Sequence, residues 1–541
     1  MLKSRWLNFY PEGVPETLEI PSISVYQLLE RTAIDYPDQL AVIDEKKEWT
    51  YETLKKYTDR FAVALHQSGF QKGDKLAVML PNSAEYIISY YAALRLGGIV
   101  VQVNPLYQSS ELEYLFENSQ ARWFVGNDIQ RPKINALPNV DIIRPIYVTK
   151  EMVFEGEQSF YPMILETNHV DLPEVDIDPK EDVAVLQYTG GTTGRSKGVM
   201  LTHYNLIANV HQSFVFSDGF FERPGERILS VTPFFHVYGM TGAMNLTIFG
   251  AGTIICMKRF TIEQTLEYME KYRPTFFPGV PTMYIALLRH PRASKELLSS
   301  MKVCNSGSAP MPVEAMKEFE AKTGAAIVEG YGLSEAAPIT HRNPVTGLKK
   351  AGSIGIPIPN TESKIVDRET GTTELPPGEV GELIIKGPQV MKGYWNNESE
   401  TMMAIRDKWL YTGDLAKMDE DGYFYIVGRK KDLIIASGYN VYPTEVEDVL
   451  YQHPAVSEAC VFGVADAYRG ETVKAVLVLK DEDLTVTEAE IVDWCSKRLA
   501  AYKVPKQITF RKELPKTAVG KILRQNLIAE ETALHTKGEI R

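Results

Sequence analysis

Residues 188–200 are the stretch of the chain whose side chains are best suited to chemistry. They read Tyr-Thr-Gly-Gly-Thr-Thr-Gly-Arg-Ser-Lys-Gly-Val-Met. Glycines let a backbone approach an anion closely, while Thr189, Thr192 and Thr193 supply hydroxyl donors and Lys197 supplies a positive charge. These features predict a phosphate-binding loop, although neither the G-x-x-x-x-G-K-[ST] nor the G-x-G-x-x-G spacing is present. An ordinary Gly- and Thr-rich turn is the simpler alternative.

Two later segments carry side chains that suit a nucleotide. Residues 329–335 read Glu-Gly-Tyr-Gly-Leu-Ser-Glu, in which Tyr331 offers a flat face for adenine. Glu335 is a hard oxygen ligand of the kind that Mg²⁺ prefers, and Ser334 can hydrogen-bond a phosphate or carboxylate oxygen. The second segment is residues 407–415, and the carboxylate of its Asp414 offers two charged hydrogen-bond acceptors. In isolation, each acidic residue is more often simply solvated.

The phosphate loop also carries a resemblance to a known family. A Y-T-[GS]-G-T-T-G-x-x-K-G run after a strand resembles the acyl-adenylate-forming (AMP-binding) enzymes, which include acyl-CoA synthetases, aryl-CoA ligases, luciferases and peptide-synthetase adenylation domains. The Thr-Gly-Gly-Thr-Thr-Gly form is most similar to bacterial long-chain fatty acid–CoA ligases. The motifs follow the order of the family along nearly the whole chain. The resemblance implies an ATP/AMP site formed by Thr189, Gly190, Gly191, Thr192, Thr193, Gly194, Lys197, Ser308, Ala309, Pro310, Glu329, Gly330, Tyr331, Gly332, Ser334, Asp414 and Arg429.

The same resemblance assigns roles to other residues. Lys521, within Leu-Pro-Lys-Thr-Ala-Val-Gly-Lys, matches the mobile catalytic lysine of the family. Thr189 and Glu335 match residues that act in catalysis and hold Mg²⁺. Some long-chain members carry a tryptophan gate near the position of Met240, where this chain has a flexible apolar side chain. The acyl pocket implied by the resemblance contains His236, Val237, Met240 and Gly279.

The implied fold is a large α/β domain followed by a small mobile domain. Residues 1–430 would form a multi-subdomain AMP- and acyl-binding unit with parallel-rich sheets, and residues 431–541 an α+β domain. Lys431 matches the hinge, and Ser437, Gly438 and Tyr439 match the segment that meets CoA. The implied reaction joins a fatty acid to ATP, forming acyl-AMP and pyrophosphate. CoA then attacks, releasing acyl-CoA and AMP.

Hydrophobic patterning predicts elements that can position these residues. Apolar runs at 75–80, 99–103 and 182–188 read as strands separated by helical patterns, which is typical of a largely parallel sheet. Asn82 is predicted to cap the helix that ends at Leu96. A first helix is expected over residues 22–33, and residues 150–181 are expected to form an irregular surface connection.

Composition narrows the classes of protein. The 541 residues call for more than one domain, and a net charge of −12 argues against general nucleic-acid binding. The four cysteines form no C-x-x-C pair, which predicts free thiols in a reducing compartment. The chain has no signal-type segment and no run of about 18 apolar residues, so we expect a cytoplasmic protein. Composition leaves open a peripheral contact with the inner face of a membrane. It also leaves open the oligomeric state, for which a dimer is one alternative.

The substrate is less constrained than the reaction. An aryl-CoA ligase of the 4-coumarate type shares every nucleotide motif and differs mainly in its acyl pocket. Peptide-synthetase adenylation domains usually adjoin a carrier domain, whereas this chain ends about 20 residues after Lys521. A nucleotide-binding regulator without catalysis is the alternative from another class. One departure from the family is Ile435, where many relatives carry a lysine.

Overall fold

A computed structural model provides the structure of the protein. It describes residues 5–45, 47–149, 153–167, 172–189, 196–217, 219–307, 311, 313–436, 439–466, 470–481, 486–517 and 520–536. The predicted α/β fold class is confirmed, because parallel strands alternate with helices over most of the chain.

The first part of the chain builds most of one sheet and its covering helices. Its elements are α1 Tyr26–Asp35, β1 Leu40–Asp44, β2 Lys47–Thr50, α2 Tyr51–Gln67, β3 Lys75–Met79, α3 Ala84–Arg95, β4 Ile99–Gln102, α4 Ser109–Ser119, β5 Trp123–Asn127, α5 Arg131–Asn135, β6 Arg144–Val148, β7 Gln158–Ser159, α6 Phe160–Glu166 and β8 Val183–Tyr188.

The middle of the chain continues the alternation and adds a π-helix at Tyr238–Asn245. Its other elements are β9 Gly198–Thr202, α7 His203–Val215, β10 Arg227–Ser230, α8 Leu246–Phe249, β11 Thr253–Cys256, α9 Ile262–Tyr272, β12 Phe276–Gly279, α10 Pro281–Arg289, α11 Lys295–Leu298, β13 Val303–Ser306, α12 Val313–Thr323, β14 Ala326–Gly332, β15 Ile339–Arg342 and β16 Ile356–Pro357.

The last part is richer in antiparallel strands. Its elements are β17 Glu362–Val366, β18 Gly381–Lys386, β19 Gly393–Tyr394, α13 Glu398–Ala404, β20 Ile405–Arg406, β21 Trp409–Met418, β22 Phe424–Arg429, β23 Ile434–Ala436, β24 Tyr439–Val441, α14 Pro443–Tyr451, β25 Val456–Asp466, β26 Gly470–Leu479, α15 Glu488–Ser496, β27 Gln507–Arg511 and α16 Arg524–Thr536.

Within the described residues, two large sheets form the main body. Nine strands lie in the order β16-β15-β14-β13-β12-β10-β11-β1-β2, and eight lie in the order β19-β9-β8-β4-β3-β5-β6-β7. The central pairs of both sheets are parallel. Because parallel strands end at a common edge, β12, β13 and β14 bring the loops that follow them together. The largest hydrophobic cluster contains α2 and α3, whose buried side chains cover their sheets.

Two smaller sheets complete the molecule. Strands β17, β18, β20, β21 and β22 pair antiparallel and carry the chain to Arg429. From Ile434 onward, β23 to β27 form a separate sheet with its own hydrophobic cluster. None of the helices among the described residues has both the length and the apolar character needed to cross a bilayer. The four cysteines are free and buried, as predicted.

Three local predictions differ from the structure. Ser83, not Asn82, caps α3, because the Ser83 side chain accepts from Tyr86 N. The Asn82 amide instead bonds the backbone of Ser230, Thr232 and Phe234, and so ties two segments together.

The other two concern element boundaries. The first helix begins only at Tyr26, after an irregular stretch. Residues 150–181 contain the short strand β7 and the helix α6 among their described residues, and α6 buries Phe160 and Ile164. Most of the described residues of this segment are nevertheless exposed or half-buried, as expected for a surface connection.

Candidate active site

The two ends of the predicted phosphate loop are joined by backbone contacts. Thr189 follows β8 and Lys197 precedes β9, and these strands pair antiparallel. Thr189 N donates to Lys197 O at 3.0 Å, Ser196 Oγ donates to Thr189 O, and Tyr114 Oη donates to Ser196 O at 2.8 Å. Hydrogen bonds therefore hold the two described ends of the loop together. Its predicted tip, Gly190, Gly191, Thr192, Thr193 and Gly194, lies outside the described residues.

The side chain of Lys197 has two partners within the chain. Its Nζ forms an ion pair with Glu400 of α13, and it lies 4.9 Å from the centre of the Tyr394 ring. Both members of the ion pair are about one-third exposed, at 35% and 36%. The cation therefore faces solvent while its position is restrained.

Glu335 is held by one oxygen and offers the other. It lies in the single 3₁₀ turn Ser334–Ala336, directly after β14. Its Oε1 accepts from Tyr394 Oη at 2.9 Å, and its backbone oxygen accepts from Met391 N at 2.8 Å. Among the described residues, no basic side chain forms an ion pair with it within 4 Å. A restrained carboxylate of this kind suits Mg²⁺, which commonly takes one or two protein carboxylates together with phosphate oxygens.

Tyr331, Asp414 and Arg429 meet on one side of β14. Asp414 and Arg429 are opposite each other on β21 and β22, and Arg429 Nε lies 3.1 Å from Asp414 Oδ1. Tyr331 Oη donates to Asp414 Oδ2. Burial and Asp414 raise the pKa of Tyr331, and Asp414 raises the pKa of Arg429. Each oxygen of the buried Asp414 carboxylate thus contacts one partner. The three residues predicted for the nucleoside end of the site therefore contact one another.

Two residues predicted for the nucleotide site have mainly structural contacts. The Glu329 carboxylate accepts from Met311 N at 3.1 Å and from Gly352 N at 3.2 Å, and burial raises its pKa. A Cβ on Gly332 would lie 2.5 Å from Pro338 O, so only glycine permits this approach. Gly330 lies opposite Arg342 in the pairing of β14 with β15, while Ser308, Ala309 and Pro310 lie outside the described residues.

The predicted acyl-pocket residues follow β10 and β12. His236 Nδ1 accepts from Tyr238 N at 3.3 Å. Burial, with a smaller effect of the Lys521 charge, lowers the pKa of His236 to about 4, so its imidazole is neutral at pH 7. Val237 and Met240 are buried, and Met240 Sδ accepts from Gln102 Nε2 at 2.9 Å.

Gly279 ends β12 against an aromatic ring. A Cβ on this glycine would lie 3.0 Å from the ring of Tyr284, whose hydroxyl bonds the backbone of Phe277 at 2.7 Å and Asn305 at 3.0 Å. The absence of a side chain at Gly279 therefore lets Tyr284 lie against the end of the strand.

Lys521 reaches this region from the far end of the chain. A Cβ on the neighbouring Gly520 would lie 3.6 Å from Thr282 Oγ1 and 3.7 Å from Val280 Cγ2. Solvent still reaches the Lys521 side chain, but the surrounding protein, with a smaller effect of Arg429, lowers its pKa to about 8. The C-terminal segment is thus placed against β12 and α10, with its lysine in the electrostatic range of the residues predicted to bind ATP.

The predicted hinge is braced by buried ion pairs beside Lys431. Arg524 Nη1 lies 2.8 Å from Asp432 Oδ2, and Arg524 Nη2 lies 2.8 Å from Glu447 Oε1. Lys431 itself is exposed, and its pKa is lowered by its protein surroundings and by Arg429. Tyr439 is 58% exposed and stacks on Tyr502 at 4.7 Å. Ser437 and Gly438 lie outside the described residues.

Comparison with known proteins identifies the family. The model of the AMP-binding enzyme family matches residues 29–395, and that of the AMP-binding enzyme C-terminal domain matches residues 445–521. The chain belongs to the AMP-binding enzyme family. A long-chain-fatty-acid–CoA ligase of Bacillus subtilis (strain 168) is 46% identical over 554 residues and 98% of each chain.

Two solved structures have a similar fold. ATP-bound MatB from Rhodopseudomonas palustris has a TM-score of 0.86 and 33% identity, covering 94% of this chain and 99% of its own. The anthranilate CoA ligase AuaEII in complex with anthranoyl-AMP has a TM-score of 0.88 and 28% identity, covering 96% and 99%. The predictions of the family, of the α/β fold and of an ATP-binding acyl-CoA ligase are confirmed.

In this AMP-binding enzyme, sequence motifs missed two residues at the centre of the site. Tyr394 and Glu400 contact Glu335 and Lys197, yet they lie in a segment without a chemical signature of its own. The signal available was indirect, because a Gly-Tyr-Trp run before a helix start indicates a packed strand end. Only the pairing of β19 with β9 reveals its neighbours.

Proposed function

We propose that the protein is an ATP-dependent fatty acid–CoA ligase acting on medium- to long-chain acids. In the first step the carboxylate attacks the α-phosphate of ATP and pyrophosphate leaves. In the second step the CoA thiol attacks the acyl carbonyl and AMP leaves. The observation that carries the substrate class is the 46% identity to a long-chain-fatty-acid–CoA ligase over 98% of both chains, since that match includes the acyl-pocket segments.

Positioning and charge neutralisation account for the first step. Lys197 and the loop after Thr189 would bind the phosphates, and Asp414 would accept from the ribose hydroxyls beside Tyr331. Glu335 and Thr189 would hold Mg²⁺, which supplies neutralisation of phosphate charge when bound. Lys521 would neutralise the charge that develops where the carboxylate oxygen meets the α-phosphate.

The acyl chain would extend past the loop that contains His236. The neutral imidazole adds no cation at the pocket entrance at pH 7, and Val237 and Met240 give the adjoining wall an apolar character. Gly279 would let the Tyr284 ring lie against the end of β12, so that an aromatic face adjoins this part of the pocket. These features suit an uncharged hydrocarbon substrate.

The second step requires a different arrangement of the two domains, with the boundary at residues 430/431. Rotation about Lys431 would withdraw Lys521 and bring Ser437, Gly438 and Tyr439 to the acyl-AMP, which is gating by domain movement. The exposure of Tyr439 and the approach of Gly520 to Thr282 support assignment of the present arrangement to the first step.

An aryl-CoA ligase is the second candidate. It is favoured by the similarity to the anthranilate CoA ligase, at a TM-score of 0.88. The lower identity of that relative, 28% against 46%, makes the fatty acid the preferred substrate.

The decisive experiment is pyrophosphate release with Mg-ATP and CoA across acids from acetate to oleate, together with cinnamate-type acids. A maximum at medium or long chains is the expected result. A maximum with aryl acids would retain the mechanism and refute the substrate. No release with any acid would refute the proposed function and favour a nucleotide-binding regulator.

The cellular location forms part of the same proposal. We place the enzyme in the cytoplasm, where ATP and CoA are available; the alternative is a peripheral position at the inner face of the membrane. Fractionation of cells that express the tagged protein tests this, and recovery outside the cytoplasm would contradict it.

A further inference from the structure

Tyr394 lies between the two charged groups of the phosphate site. Its hydroxyl donates to Glu335 Oε1 at 2.9 Å, and Lys197 Nζ lies 4.9 Å from the centre of its ring. A single side chain thus contacts the candidate metal ligand with its polar end and the phosphate-binding lysine with its aromatic face. The two contacts favour the charged forms of Glu335 and Lys197, because a carboxylate accepts hydrogen bonds strongly and an ammonium group is attracted to a ring face.

The backbone around Tyr394 is held in place by protein contacts alone. Strand β19 pairs with β9, so that Tyr394 lies opposite Val199, two positions after Lys197. Tyr394 N donates to Thr401 Oγ1 at 2.9 Å, and the residue is only 8% exposed. A buried side chain on a paired strand has a restricted set of rotamers, which is the property needed to fix two partners at once.

Glu400 provides a negative charge where a nucleotide phosphate would be expected. It lies in the first turn of α13 and pairs with Lys197. Because both side chains are about one-third exposed, the pair contributes little free energy and is readily broken. A triphosphate carries several negative charges and would compete effectively for the same lysine.

We infer that Tyr394 is a positioning residue for the phosphate and metal site, and that Glu400 is the counter-ion that ATP displaces from Lys197. This inference rests on the proposed function, in which Lys197 and Glu335 bind the phosphates and Mg²⁺. It adds that one tyrosine sets the separation of these two groups before ATP arrives. It also adds that ATP binding opens an ion pair within the chain.

Equilibrium binding of ATP to the full-length protein tests the inference without depending on turnover. Calorimetry at a series of Mg²⁺ concentrations separates binding of the nucleotide from binding of the metal. Tyr394→Phe keeps the ring but removes the donor to Glu335, so the half-saturating Mg²⁺ concentration should rise about tenfold. Tyr394→Leu also removes the ring, so ATP affinity without Mg²⁺ should fall about fivefold.

Glu400→Gln should change ATP affinity in the opposite direction. Removing the competing carboxylate should make ATP bind about threefold more tightly, because an exposed ion pair no longer has to open. In steady-state assays this variant should lower KM for ATP without raising kcat, whereas Tyr394→Phe should lower kcat at limiting Mg²⁺.

Two matched controls separate these effects from general loss of stability. Tyr51→Phe removes another buried phenol, whose hydroxyl donates to Gly252 O at 2.7 Å. Glu362→Gln breaks another exposed ion pair, with Lys386 at 2.8 Å. If Tyr394→Leu does not fold, Tyr394→Phe still decides the outcome, because it keeps the ring and the packing.

The inference is overturned if Tyr394→Phe has the Mg²⁺ dependence of Tyr51→Phe, or if Glu400→Gln binds ATP no more tightly than wild type. Those results, with normal binding and turnover by the wild type, would leave the proposed function intact. Failure of the wild type to bind Mg-ATP would refute both.

Discussion

Replacement of Lys521 should separate the two half-reactions. Lys521 has Asp414 and Arg429 in electrostatic range, and it is the cation proposed to act at the α-phosphate. Removing one preorganised donor from a developing anion typically lowers the rate about 10²- to 10³-fold. Lys521→Ala should therefore reduce adenylation by that factor while largely sparing thioesterification of supplied acyl-AMP, a step for which we propose that the lysine is withdrawn.

The pH dependence of the adenylation rate tests the same role of Lys521. Because the pKa of Lys521 is lowered to about 8, the amine is about nine-tenths charged at pH 7 and about one-tenth charged at pH 9. Only the charged form can neutralise phosphate, so the rate of adenylation should fall as pH rises through about 8. Lys521→Arg keeps its charge over this range and should abolish the alkaline decline, even if its absolute rate is lower.

The assay is ATP–pyrophosphate exchange for adenylation and acyl-CoA formation from synthetic acyl-AMP for the second step. Lys516→Ala is the matched control, since Lys516 lies on the same segment but pairs with Glu458. Equal losses in both half-reactions for Lys521→Ala would refute the division of roles. An unchanged alkaline limb in Lys521→Arg would refute the assignment of that limb to Lys521.

Three other substitutions test individual side chains or backbone positions. Asp414→Asn should weaken ATP binding about tenfold in calorimetry, because it removes a charged acceptor and leaves Arg429 without its counter-charge; unchanged affinity would contradict the ribose assignment. Gly239→Ala would place a Cβ 2.1 Å from Pro233 O, so thermal unfolding should show a loss of about 3 kcal/mol, and a wild-type Tm would show that the loop can relax. Arg524→Met leaves two largely buried carboxylates unpaired, and denaturant unfolding should show a loss of about 3 kcal/mol, which equal midpoints would exclude.

Features that depend on neighbouring residues are easier to predict from sequence than contacts between distant residues, as the helix caps show. The capping box that Thr487 and Glu490 form at the start of α15 is a pattern of this local kind, because it depends on a few neighbouring residues only. The cap of α3 was misassigned by one position, because Asn82 and Ser83 both suit an N-cap and only the contacts of Asn82 with Ser230 and Thr232 decide between them. Tertiary hydrogen bonds therefore overrode an equal local preference.

The amino-acid sequence is enough to predict the residue types that nucleotide chemistry needs, because the glycines, hydroxyls and charges lie together within a short loop. It is also enough to predict the alternation of strands and helices, because burial on a sheet imposes a regular hydrophobic pattern. Which charges meet depends on how the chain folds. Lys197 and Glu400 are 203 positions apart, and the pairing of β9 with β19 brings them together. Such a contact leaves no local pattern, since its free energy arises only after the sheet has formed.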